Sequence, residues 1–367
     1  MEYVDTGAAI AYRLWDVGYA IDLDRALDLL ATSAPERVRP VRGEGQALQI
    51  PNPPITVLLG AESLVVGDTA HDVELSARIF DFGVVSLRMK VRAPVRCSWA
   101  EFTLFGQRLE HHPGLAAMTA HHLRLLTERI ASAIERPALA AVHEEYTVFR
   151  VSRISDAEGG ALDAEQLAGL DVVPLLLNEN RPLSADAKRE LLPHRFSYYG
   201  DDLVLLTWEN ALVVEPGQHD TDLQYIVEFA NAQLLELRYY DALLDAELPR
   251  LYDDIEKARA RHAVFPGRRF AALLQRLQAQ VADSTELVER VENALKVTDD
   301  VYLARVYSAS LELFRGRAWR AGIDRKLAIL RDTYAMLNGE AQAARSETLE
   351  IAIVALIVVE LIVGILK

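Results

Sequence analysis

Two pairs of adjacent histidines, His111-His112 and His121-His122, are the side chains in this chain most suited to chemistry. An imidazole can ligate a metal or move a proton near neutral pH. Adjacent positions on a helix point about 100° apart, so each pair offers one ligand at most to a common site. The ordinary zinc-ligand spacings are absent, and a solvated or half-buried polar face is the simpler reading. Asp201-Asp202 suits a hairpin turn better than a general acid/base couple. Glu144-Glu145 reads as a strand edge. The one cysteine, Cys97, can form neither an internal disulfide nor most structural zinc sites. It reads as a small packed hydrophobe, and low cysteine use fits a reducing compartment. There is no phosphate-cradling glycine loop and no H-E-x-x-H, G-x-S-x-G or C-x-x-C. No catalytic constellation follows from spacing alone, and no cofactor or metal is expected.

The composition narrows the classes further. The chain has 367 residues, 51% hydrophobic and 25% charged, with a formal net charge of -15. That is long enough for two structural units. The acidic balance repels phosphate backbones, so nucleic acid is disfavoured as a partner. The N-terminus Met1-Glu2-Tyr3-Val4-Asp5 lacks a basic stretch followed by an apolar run. No signal peptide is read there, and the bulk of the chain is expected in the cytoplasm.

The tail is the most informative stretch. Ile351 to Leu366 carries one charge, Glu360, and Lys367 ends the sequence. As a helix this run measures roughly 24 Å, against a bilayer core of about 30 Å. It is short but workable if Leu349 and Glu350 sit at the interface, with Arg345 and Lys367 reaching headgroups. A carboxylate at mid-membrane costs a few kcal/mol, so Glu360 is expected at a helix–helix contact. Gly364 lies one turn beyond it on the same face. The alternative is a buried helix in a soluble oligomer, with Glu360 salt-bridged.

Three heptad-like seams precede the tail. The first runs Leu223, Val227, Ala230, Leu234, Leu237, Asp241, Leu244, Leu248, Leu251, Ile255 and Ala258. Asp241 is its single polar position and is read as setting register; Pro249 should kink or break the helix. After a turn at Phe265-Pro266-Gly267, the second seam runs from Phe270 to Tyr302, giving an antiparallel hairpin. The third starts at Ile323 and continues in phase through Leu337 into the tail, so one helix is expected to run on without a break. Gly316 and Gly322 flank a bend before it. For each seam, intramolecular core is at least as good a reading as intermolecular zipping. Near the hairpin tip, Arg259, Arg261, Arg268 and Arg269 form the one basic cluster of note.

Residues 1–218 alternate short strands with helices. Strands are expected over Ala9–Trp15, Val73–Phe82, Val84–Val91, Glu145–Ile154, Leu203–Trp208 and Ala211–Val214. Helices are expected over Asp24–Ala31, Leu115–Ile134 and Ser184–Leu192. The mixture suits an α+β sandwich with helices on one face of the sheet.

Several features resemble the required-for-meiotic-nuclear-division family, also called the YagE family. Leu349-Glu350, nine residues and then Glu360 is similar to that family's terminal pattern, with Ile351 replacing its usual aromatic. Arg78-Ile79-Phe80-Asp81-Phe82-Gly83-Val84-Val85 resembles its strand-turn-strand motif. Gly18-Tyr19-Ala20-Ile21-Asp22-Leu23 resembles its N-terminal segment, and Ala232-Gln233-Leu234 a step in its first long helix. As a divergent member, the chain would be a membrane-associated, homo-oligomeric α/β-plus-helical protein, with relatives that support mitochondrial translation. The resemblance carries over no catalytic residue.

The expectation is an α+β domain over 1–218, a helical hairpin or coiled-coil-like stalk over 219–345, and a transmembrane anchor over 346–367. The expected function is a homo-oligomeric scaffold at the inner (cytoplasmic) membrane, with membrane lipid, a second copy and a cytoplasmic protein as partners. Leu349, Glu350, Glu360 and Gly364 would form its membrane and oligomer contacts. One alternative is a membrane-associated enzyme using His121, His122 or Asp201 in a cleft between domain and stalk. Another is a ribosome or RNA tether working through the arginine cluster.

Overall fold

The computed structural model describes residues 1–31, 36–37, 52–216, 222–260 and 300–365, with isolated positions between 275 and 282. The chain opens with β1 (Tyr3–Asp16), β2 (Gly18–Ile21), α1 (Leu23–Leu30) and β3 (Glu36–Arg37). Three long strands follow: β4 (Ile55–Val66), β5 (Thr69–Ile79) and β6 (Val84–Arg92). Then come β7 (Cys97–Ser98), α2 (Trp99–Glu110), α3 (Pro113–Ile130), β8 (Ile134–Pro137) and β9 (His143–Ser155). Three short helices, α4 (Ala164–Ala168), α5 (Val173–Leu177) and α6 (Ala185–Leu191), lead to β10 (His194–Phe196), β11 (Leu203–Leu206) and β12 (Asn210–Val214). The helical half contains α7 (Asp222–Ala260), α8 (Val301–Leu313) and α9 (Gly316–Ile365). The fold is therefore mixed α+β, with an N-terminal sheet and C-terminal helices.

Ten of the described strands form one sheet in the order β10-β11-β12-β9-β1-β6-β5-β4-β3, with β7 against β1. Its pairs are antiparallel except β12 with β9, which run parallel from Asn210↔Thr147 to Val214↔Val151. A parallel partner needs a long crossover, and the stretch from α4 to β11 supplies it. The three main helices of this half start on side-chain caps. Asp22 accepts from the Arg25 amide at 3.0 Å. Ser98 and Glu101 form a reciprocal capping box. Pro113 opens α3 behind His112, whose Nδ1 accepts from the Gly114 amide at 3.1 Å.

Two compact units divide the chain. The first comprises residues 1–239 and 293–317, the second 240–292 and 318–367. In the first, β1 is buried on both faces. Ala9 and Ala11 face a core built from Val73, Leu75, Met89 and Val91 with Phe102 and Phe105 of α2. Ile10, Tyr12 and Leu14 point the other way and are equally buried. That second face is covered by the start of α7 and by α8. The Arg78 guanidinium pairs with the buried Glu228 carboxylate and lies 4.9 Å from the Tyr225 ring centre. Phe229 packs among Phe80, Phe82, Tyr225 and Tyr307. Helices thus cover both faces of the sheet rather than one. The aliphatic residues on alternate positions of β1 leave neither face able to meet water.

In the second unit, Leu244, Leu251 and Ile255 of α7 and Ile323, Leu327, Leu330 and Leu337 of α9 are buried. Lys326 bridges Asp241 at 2.7 Å and Asp245 at 2.6 Å, tying α9 to α7. The described part of the first seam, and the third seam as far as Leu337, are thus largely buried within this one chain, whereas Ala355, Val358, Ile362 and Ile365 further along the third are exposed. Helix α7 runs through Pro249 without ending. The Phe265-Pro266-Gly267 turn and, apart from Tyr302, the second seam lie outside the described residues. No helix among the described residues is long and apolar enough to cross a membrane.

Candidate functional site

Two features of the fold could engage something outside the chain. One is a groove on the first unit; the other is the end of α9.

The groove is built on a cross-strand quartet. Side chains two apart on a strand share a face. Arg13 and Trp15 on β1 therefore point the same way, as do His143 and Glu145 on β9. The antiparallel register sets Arg13 opposite Glu145 and Trp15 opposite His143. Arg13 Nε lies 3.3 Å from Glu145 Oε2. Arg13 Nη1 donates to the Tyr12 carbonyl at 2.9 Å, and Nη2 to the Glu110 carbonyl at 3.4 Å. Burial pulls the Arg13 guanidinium below its ordinary pKa, opposed by the Glu145 and Glu110 carboxylates. The Trp15 and His143 rings stack within 11° of parallel, centres 5.8 Å apart. His143 Nε2 is 3.6 Å from Glu145 Oε1, too far for a hydrogen bond that would fix it as a general base.

Helix α3 forms one wall, where Ala116 and Ala120 leave space above the quartet. The segment from Ile134 to Leu139 forms the other. Together they enclose about 800 Å³, within the range of small-molecule sites. The lining is apolar except for the Arg13–Glu145 pair, an Arg124–Glu128 pair at 3.0 Å, His143 and two threonines. Sequence reasoning missed this site. Read locally, Arg13 and Trp15 are only the end of a strand and Glu145 the start of another, because nothing in either segment says that β1 lies beside β9.

The end of α9 is of a different kind. Ten large aliphatic side chains from Ile353 to Ile365 are each 48–82% exposed. They occur on every side of the helix, and Glu360 is exposed among them. Leu349 and Glu350 are exposed as well, and no atom stands within 4 Å of a Cβ built on Gly364. The described apolar side chains run from Ala352 to Ile365; those of Ile351 and Leu366 lie outside them.

The residues expected to do chemistry are dispersed. His122 Nε2 meets Glu62 Oε1 at 2.6 Å, and the exposed His121 packs edge-on to it. His112 caps α3 and reaches the Val65 carbonyl at 2.9 Å. Asp201 sits in the turn between β10 and β11, while Asp202 Oδ1 accepts from the Tyr198 amide at 2.8 Å. No group of three or more potential metal ligands occurs among the described residues. Cys97 is buried, which pushes its thiol pKa up. Asp241 is engaged by Lys326. Arg261, Arg268 and Arg269, and the side chain of Arg259, lie outside the described residues.

Comparison with known proteins matches residues 6–221 to the family described as uncharacterized protein MJ0711, N-terminal domain. The chain is 24% identical over 224 residues to the uncharacterized protein MJ0711 of Methanocaldococcus jannaschii. That alignment takes in 61% of this chain and 66% of the relative, just under two thirds of its length. No solved structure matches. The matching family is not the required-for-meiotic-nuclear-division family. The tail pattern that carried that resemblance, Leu349-Glu350 to Glu360, lies beyond the matched residues.

Proposed function

This chain belongs to the family of the uncharacterized MJ0711 N-terminal domain, and from that premise we propose that it is a membrane-held tether. The end of α9 would be embedded in lipid, displaying the α+β unit to a protein partner. The observation that carries this reading is the all-round exposure of the aliphatic side chains from Ile353 to Ile365. A helix apolar on every side needs an apolar surround, either protein or lipid. Removing ten half-exposed side chains from water is worth on the order of 10 kcal/mol. Seating Glu360 in lipid costs only a few, and a second copy of α9 facing it through the Glu360–Gly364 side lowers that cost. The run from Ala352 to Ile365, roughly 21 Å as a helix, would then enter the bilayer with local thinning or self-association.

The test is fractionation of the full chain beside a variant lacking residues 346–367. The full chain should pellet with membranes and resist alkaline carbonate, whereas the truncated chain should be released. A truncated chain that still pellets, or a full chain that stays dispersed as a monomer without detergent, would overturn the reading.

A further inference from the structure

We propose that the groove over Arg13, Trp15, His143 and Glu145 is a binding site for an uncharged, planar heteroaromatic molecule with an amide-like edge. Each part of that description comes from a separate feature. The planar body follows from the near-parallel Trp15 and His143 rings, which continue a stack more readily than they accommodate a branched chain. The apolar walls follow from Ala116 and Ala120 on one side and Ile134, Pro137 and Leu139 on the other. These bury a ring system without asking it for further hydrogen bonds.

Charge neutrality follows from the lining. Its two guanidinium groups are each matched by a carboxylate, Arg13 by Glu145 and Arg124 by Glu128. A charged ligand would enter with no surplus counter-charge to meet it, and desolvating it would oppose binding. The polar edge follows from Arg13. Nη1 and Nη2 each give one N–H, to the Tyr12 and Glu110 carbonyls, and Nε pairs with Glu145. A guanidinium carries five, so Nη1 and Nη2 each keep one more. The Glu145 carboxylate, about half exposed, lies 3.3 Å from Nε of the same guanidinium and is the neighbouring acceptor. A donor next to an acceptor complements the C=O and N–H of a cyclic amide.

The site is assembled entirely within the first unit and inside the family-matched region. It does not depend on whether α9 enters lipid. The test uses the full chain in mild detergent, which disperses it whether or not α9 enters lipid, labelled with 5-fluorotryptophan. The sequence holds four tryptophans, so four fluorine signals are expected, and Trp15→Phe identifies the one from the groove. Three probes of similar size are compared: quinolin-2-one, 2-naphthoate and 2-naphthylmethylammonium. Quinolin-2-one should shift the Trp15 signal saturably, with at least tenfold tighter binding than either charged probe. Glu145→Gln should weaken it several-fold by removing the charged acceptor. Ala120→Tyr and Ala116→Tyr fill the groove from an exposed helix face and should each abolish the shift, while the other three signals report that the fold is intact. Absence of a saturable Trp15 shift, equal or tighter binding of a charged probe, or a shift that survives both tyrosine variants would overturn the assignment.

Discussion

Asp16 gives the sharpest test of the electrostatics. It ends β1 and is 3% exposed, with Oδ1 accepting from the Gly18 amide at 3.1 Å. Burial raises its carboxyl pKa from 3.8 to about 7, against the opposing effect of the Gly18 N–H. Tyr239 lies close enough that the Asp16 and Glu236 charges add to the rise that burial imposes on its phenol. In the unfolded chain Asp16 ionises near pH 4; in the folded chain it holds its proton to near pH 7. Between those values the folded state binds the extra proton, so stability falls as pH rises through that window and is flat above it. About three pKa units at ~1.4 kcal/mol each amount to about 4 kcal/mol. Asp16→Asn keeps an oxygen for the Gly18 amide and removes the charge. The expected result is that the Asp16→Asn variant and wild type differ little at pH 4, while at pH 8 the variant is the more stable by up to about 4 kcal/mol. Urea unfolding of both proteins at both pH values measures this, because other titrating groups cancel in the double difference. A difference that is unchanged between the two pH values, to within ~0.5 kcal/mol, or that favours wild type at pH 8, refutes the reasoning.

Two further predictions follow from the same unit. Arg78→Met strands the buried Glu228 carboxylate beneath α7 and should cost about 3–5 kcal/mol. Adding Glu228→Leu should recover most of that loss in chemical unfolding; a double variant as unstable as the single one would show that the pair is not coupled. At Gly83, φ is +95° and an added Cβ would sit 1.9 Å from the Gly18 carbonyl oxygen, in backbone that cannot move aside. Gly83→Ala should therefore cost upwards of about 3 kcal/mol, whereas Gly159→Ala, at φ +89° but with nothing within 4 Å, should cost about 1 kcal/mol. Thermal melts of the two variants side by side separate steric conflict from conformational strain.

Much of the secondary structure was legible because it is written locally. The hairpin about Asp81-Phe82-Gly83 is β5 and β6 joined in register from Val73↔Val91 to Ile79↔Val85, and the left-handed residue its turn needs is that glycine. Asp22, just before the helix expected over Asp24–Ala31, caps α1. The helix expected over Leu115–Ile134 is α3, which stops at Ile130 and gives way to the short strand β8, whose partner β2 is more than a hundred residues earlier. Helix α2 escaped notice because its buried face is aromatic, Trp99, Phe102 and Phe105, and does not present the aliphatic repeat that marks a helix.

The groove shows where local reading ends. Alternation along a strand established that Arg13 shares a face with Trp15, and His143 with Glu145, but not that the two pairs meet. That depends on β1 choosing β9 as a neighbour, a pairing across some 130 residues at the quartet, which rests on the burial of whole faces and is invisible in any window of sequence. The same holds for Glu228, whose charge is tolerable only because tertiary packing delivers Arg78 to it. By itself the sequence determined what each segment could be, through periodicity, caps and turn glycines, and marked the apolar tail. Only the tertiary structure decided which charges are matched, which faces are covered and where a cavity remains, because those are properties of residues distant in the chain competing for the same water-free space.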